Sequence, residues 1–278
     1  MTVLVATFTN TGSSIKVGST VQVNGMTAND FSSPIAYTVT AADGSTVSYM
    51  VTVTTVPRSE LVAEYLFSGN AADSSGKGHN GVVHNAIATL DRFGVPSRAY
   101  YFNNSYIDVS DPPGHLFNPN TSFSISAWLN LANDSALEYF PLIAQDEGLY
   151  STNKWYFNYR TFDKSWNLIN ALSFHVNSPS MGGGVRINSD PIALQLNTWH
   201  HVALVRDGAT FRFYVDSIAK GNVNSNVVIP EVNRPLTIGY AEVTEFLIGS
   251  ADDVRVYDGA LTAEEVSSLF HEDGWTGQ

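Results

Sequence analysis

Residues 199–216 constrain the fold most. They read W-H-H-V-A-L-V-R-D-G-A-T-F-R-F-Y-V-D, two runs of alternating side chains joined by Asp207-Gly208. In the second run Phe211, Phe213 and Val215 face one way while Arg212, Tyr214 and Asp216 face the other, the period of a half-buried strand. Asp-Gly between two such runs signals a hairpin, because glycine takes positive φ at no steric cost. Residues 251–261, A-D-D-V-R-V-Y-D-G-A-L, alternate in the same way. Thr262 and Glu265 then have the spacing of a capping box ahead of a short amphipathic helix. The class implied is all-β, a sandwich with one late helical turn.

At 278 residues the chain has room for two domains, and 44% hydrophobic content supports real cores and excludes disorder. Lys plus Arg number 14 against 26 Asp plus Glu, a net charge of −12. That balance argues against nucleic acid and anionic membrane surfaces, both of which repel an acidic protein. It suits a soluble extracellular protein with acidic loops. Cysteine is absent, which removes disulfides, thiolate catalysis and Cys-ligated zinc. No signal peptide and no run long enough to insert in a bilayer is present. The chain is therefore read as a fragment of a larger bacterial protein, secreted or displayed on the cell surface. Sequons at Asn103, Asn120 and Asn133 are read as chance occurrences in such a chain.

Residues 1–57 form a separate unit rich in Thr, Ser and Val, with alternating runs at 4–9, 14–17, 20–23, 35–41 and 47–56. Ala42-Asp43-Gly44-Ser45 reads as a hairpin turn. The text F-T-N-T-G-S-S-I-K-V-G-S-T-V-Q-V resembles the immunoglobulin-like repeat modules of bacterial surface proteins. That resemblance implies a small β-sandwich spacer, truncated at its start and so exposing an edge strand.

Residues 58–278 carry a second resemblance. The motifs E-Y-L-F-S-G-N-A-A-D-S-S-G-K-G-H-N-G, A-Y-Y-F-N-N-S-Y-I-D-V, F-S-I-S-A-W-L, W-H-H-V-A-L-V-R-D-G and A-D-D-V-R-V-Y recur in order. They are similar to the laminin-G-like, concanavalin A-like jelly roll. The resemblance implies that the first and last strands pair, residues 61–67 beside 254–257. One turn departs from the family, because Ser217 follows Asp216 where Asp-Gly is usual.

Two constellations suggest chemistry. The loop Asp73-Ser74-Ser75-Gly76-Lys77-Gly78-His79-Asn80-Gly81 could curl its backbone round a calcium ion, which takes six to eight oxygen ligands. The family resemblance implies a structural calcium held by Asp73 and Asp252, with His79 offering its carbonyl. The alternative is an Asx-type turn in which Asp73 bonds its own backbone. The second constellation is the stretch 145–179, read as irregular and dense in aromatic residues. Tyr150, Trp155, Tyr159 and Trp166 would stack on sugar rings, while Arg160 and Asn167 bind hydroxyls. The alternative is ordinary core, to which Trp128 and Trp199 are assigned. Glu242 and Glu245 form an acidic loop that loosely matches a calcium loop of pentraxin-like relatives.

Catalysis is not expected. The carboxylate run of concanavalin A-like glucanases is missing, and so is the Gln-x-His triplet of alginate-lyase jelly rolls. His200 and His201 fall on opposite faces of one strand, and His175 is read as a hydrogen-bonded sheet histidine. The function expected is non-catalytic glycan binding of the lectin or adhesin type. The alternative is a structural or protein-interaction module that binds other cell-surface proteins.

Overall fold

A computed structural model describes residues 3–53, 59–109, 118–132, 139–149, 152–162 and 167–277. The chain divides into two compact units, Met1–Pro57 and Arg58–Gln278.

The first unit pairs four antiparallel strands in the order Thr20–Val21, Ser14–Val17, Ile35–Thr40, Thr46–Val51, beside a two-stranded pair, Val3–Val5 with Ala28–Asp30. Its buried core is small, centred on Ile15, Phe31 and Tyr37. The hairpin turn at residues 42–45 closes through Ser45 N–H bonding Asp43 Oδ1 at 2.9 Å, with Gly44 at φ 87°. Thr46–Val51 is an edge strand, and Val47 and Tyr49 are well exposed on it.

The second unit is a sandwich of an eight-stranded and a seven-stranded antiparallel sheet. Leu61–Tyr65 pairs with the final strand Gly249–Tyr257, placing Arg255 opposite Glu64. The alternating strands Phe123–Leu131, Trp199–Asp207 and Thr210–Val215 send Ile125, Leu129, Leu204, Phe211 and Phe213 inward. These meet Ile107, Trp155, Phe157, Phe174 and Ile238 from the seven-stranded sheet in one continuous core. The hairpin between the paired strands turns at Gly208, φ 58°. The turn that lacks the family's glycine is built from Asp216 and Ser217, both at positive φ (50° and 64°). Asp216 offsets that strain with a carboxylate that accepts from the His201 N–H at 2.9 Å.

The outer face of the eight-stranded sheet is covered by the chain's own C-terminus. Thr262 and Glu265 close the expected capping box on the helix Ala263–Phe270. Trp128, Trp199, Phe270 and Trp275 form a separate cluster, with Trp275 edge-on to Trp128 at 5.2 Å. A cavity of about 570 Å³, lined by Glu64, Arg92, Asp253, Arg255 and Glu272, stays open on that face beside the terminal strand.

Candidate functional site

The stretch read as irregular is two regular strands, Lys154–Phe162 and Leu168–Asn177, hydrogen-bonded side by side. Period-two alternation divides their side chains. Trp155, Phe157 and Tyr159 turn inward into the core, and Lys154, Tyr156, Asn158 and Arg160 turn outward. This corrects two of the sequence-based site assignments. Trp155 is 1% exposed and donates its Nε1–H to Gln145 Oε1, and Tyr159 is 3% exposed with its hydroxyl on Ile192 O. Both rings point into the core between the sheets, away from the outward face. Arg160 does lie on the outward face, its guanidinium 4.7 Å over the Tyr139 ring and bonded to Phe162 O at 2.8 Å. Asn167 is exposed. Tyr150 and Trp166 lie outside the described residues.

The outward face is a polar patch three strands wide. Register sets Asn158, Ser173 and Asn188 in one row, and Tyr156, His175 and Arg186 in the next. Asn158 is 1% exposed and Ser173 0%, yet both side-chain atoms of Asn158 and the Ser173 Oγ have no protein hydrogen-bond partner. His175 Nδ1 and Asn188 Oδ1 also lack one. Buried polar groups are nearly always paired, and each unpaired one costs about 1–3 kcal/mol. Four such residues in two adjacent rows, brought together by register, are a constellation that folding alone would remove.

The surroundings fix the patch rigidly. His175 lies against Tyr156 with ring centroids 4.7 Å apart. Gly184 approaches the same imidazole so closely that a Cβ there would meet its Cε1 at 2.4 Å. Burial, and after it the charges of Arg186, Lys154 and Arg160, push His175 down to about 3, so the ring is neutral at physiological pH. Lys154, fully buried, reaches Glu242 Oε2 at 2.6 Å, and Asp146 lies within 3.6 Å. Glu242 takes positive φ (52°) and donates its N–H to Asp146 Oδ2 at 2.6 Å. The carboxylates of Asp146 and Glu242 are thus engaged by the protein. Across the sheet His84, Tyr106, Tyr240 and Phe246 stack in succession at 4.5–5.0 Å.

The residues do not fit the calcium cage. Asp73 Oδ1 accepts from the Glu64 and Ser75 N–H groups, and Oδ2 from Ser75 Oγ and the His79 N–H. Burial raises its pKa, but those hydrogen bonds together hold it below the ordinary value. This is the Asx-type turn, with both oxygens already occupied by donors. The His79 carbonyl accepts from Tyr65 Oη at 2.7 Å. Asp252 faces a guanidinium, Arg92 Nη1 at 3.1 Å. Among the described residues no three His, Cys, Asp or Glu side chains gather as a metal site.

The histidine pair separates as alternation requires. His200 Nδ1 meets Asp216 Oδ2 at 2.8 Å while its Nε2 accepts from the Gln195 N–H. His201, on the other side of the strand, meets Ser126 Oγ at 2.8 Å. The two imidazoles have different side-chain partners, and His200 has both nitrogens engaged.

Two packed antiparallel sheets define a jelly-roll sandwich. A sequence profile of the concanavalin A-like lectin/glucanases superfamily matches residues 102–267, more than half of the chain, and the protein belongs to that superfamily. A profile of the SGBP N-terminal domain matches residues 1–53. No sequence among curated proteins matches the chain. Among solved structures it is similar to domain 4 of an extracellular GH43 arabinanase from Geobacillus stearothermophilus, solved with arabinotriose. The TM-score is 0.57 at 19% identity, covering 76% of this chain and 98% of that one. It is also similar to the binding domain of Paraclostridial Mosquitocidal Protein 1 (TM-score 0.56, 19% identity, 76% and 52% covered). The botulinum neurotoxin serotype D binding domain is a further likeness (TM-score 0.57, 12% identity, 77% and 52% covered). The chain spans about half the length of each toxin domain.

Proposed function

We propose that the 58–278 unit is a non-catalytic carbohydrate-binding module of an extracellular or surface-displayed protein. Its site is the outer face of the seven-stranded sheet. The observation that carries this reading is the row Asn158, Ser173, Asn188, buried amide and hydroxyl groups without protein partners. Sugar hydroxyls both donate and accept, so they complement such groups in a way that an apolar ligand cannot. The structural likeness to a domain crystallised with arabinotriose supports the same class. Non-catalytic binding fits the carboxylates, since both Asp146 and Glu242 are held by Lys154, and Asp146 also accepts from the Glu242 N–H, rather than aimed at a bond. Titration of a glycan panel against wild type and Asn158→Ala tests the proposal. Loss of at least tenfold in affinity for whichever glycan binds is expected. Unchanged affinity in that variant contradicts it.

A further inference from the structure

The polar patch sits in a protein whose net charge is −12, and which has only 14 lysines and arginines. Three of these, Lys154, Arg160 and Arg186, lie on this one outward face. Lys154 is held by Glu242 and Asp146. Arg186 is different. It is exposed at the rim and has no hydrogen bond or ion pair among the described residues. Its strand, Val185–Asn188, is the last of the sheet, so its guanidinium borders both the patch and open solvent. Register places it beside His175 and diagonal to Ser173, two residues along the strand from Asn188. Strand spacing puts all of these within roughly 5–7 Å of Arg186 at the backbone, about the width of one sugar ring.

We propose that the glycan taken by this face is acidic, a uronate-type saccharide whose carboxylate docks on Arg186, the exposed cation at the rim of the polar row. This rests on the glycan-binding reading above and names the ligand class for it. A guanidinium presents its N–H groups in a planar fork that matches a carboxylate in two parallel hydrogen bonds. Neutral His175, whose Nδ1 has no protein partner, adds no competing charge and can exchange a hydrogen bond with a ring hydroxyl. The acidic character of the rest of the molecule sharpens the selection. It repels an anionic chain elsewhere, so the patch is where such a chain can settle.

The test uses matched pairs: oligogalacturonate and oligoalginate, each beside its methyl-esterified, neutral counterpart, plus a sulfated oligosaccharide, titrated at low and at physiological salt. The expected result is that one uronate binds about tenfold tighter than its own ester, the order of one charge-assisted pair. Arg186→Gln should abolish that preference and leave the ester's affinity unchanged. Binding of the sulfated sugar above both uronates overturns the carboxylate assignment. Equal binding of acid and ester, or binding of neutral glycans alone, overturns the inference while leaving the site in place if Asn158→Ala still abolishes binding. Insensitivity of every bound probe to both Arg186→Gln and Asn158→Ala overturns the site as well.

Discussion

Arg92 Nη1 stands 2.6 Å from Asp253 Oδ2, with the arginine side chain 2% exposed. The same nitrogen reaches Asp252 Oδ2 at 3.1 Å, and the guanidinium lies 4.7 Å from the ring centres of both Trp128 and Phe93. Asp253 holds positive φ (45°), and the register of its strand against Phe123–Leu131 shifts there. One buried cation thus sits between two adjacent acidic side chains at a bulge of the terminal strand. Replacing it with Met should leave Asp253 without its cation and destabilise the unit by about 3–5 kcal/mol. Urea unfolding of Arg92→Met measures this. A loss under about 1 kcal/mol, the scale of an exposed pair, would show the pair to be idle.

The same arrangement bears on calcium. Asp252 faces Arg92, and Asp73 has its oxygens filled by N–H and O–H donors. Melting temperatures in millimolar calcium and in chelator should agree within about 1 °C, because an ion that does not bind the native state cannot stabilise it. A calcium-dependent rise would mean that the loop rearranges around the metal.

Stability should also depend on pH, from two opposing sources. Burial and then Asp253 raise Asp252 to about 8, against 3.8 in the unfolded chain. The native state therefore holds the extra proton between those values, and stability from this group is lost as pH rises toward 8. Burial first of all lowers both His201 and His175 to about 3 from 6.5. There the unfolded state holds the extra proton, and stability is lost as pH falls from 6.5 toward 3. Unfolding free energy against pH should be flatter on the alkaline side in Asp252→Asn. A wild-type curve that rises steadily from pH 5 to 8 would contradict the Asp252 assignment.

Trp155 and Asn158 stand three residues apart and should behave oppositely. Trp155→Ala removes a core ring and should cost about 3–5 kcal/mol in stability. Asn158→Leu removes an amide with no protein partner, and should leave stability unchanged or raised while abolishing glycan binding. Paired thermal melts and titrations decide between them. Binding lost only in a well-folded Trp155 variant would restore the aromatic platform.

Much of this was legible in the sequence. The Asp207-Gly208 hairpin and the Thr262–Glu265 capping box follow from local pattern, and the pairing of 61–65 with the last strand follows from the family resemblance. The site was harder. The aromatic residues at 155, 157 and 159 attract attention as sugar platforms, but the same alternation that makes them a strand buries them. The informative positions are the even ones between them: 154, 156, 158 and 160. Ser173 and His175 continue that face on the next strand, but only register shows which residues stand opposite. Asp252 misled for a different reason: its partner Arg92 is 160 residues away in the chain and carries no local signal.

The most direct measurement is backbone and side-chain amide NMR of the 58–278 unit titrated with an oligosaccharide that binds. Shifts should concentrate at Asn158, Ser173, His175, Arg186 and Asn188, with the Asn158 side-chain amide moving most. Shifts confined to the loops around Asp73, or to the C-terminal cluster at Trp275, would place the ligand elsewhere and contradict the assignment of the outer polar face as the site.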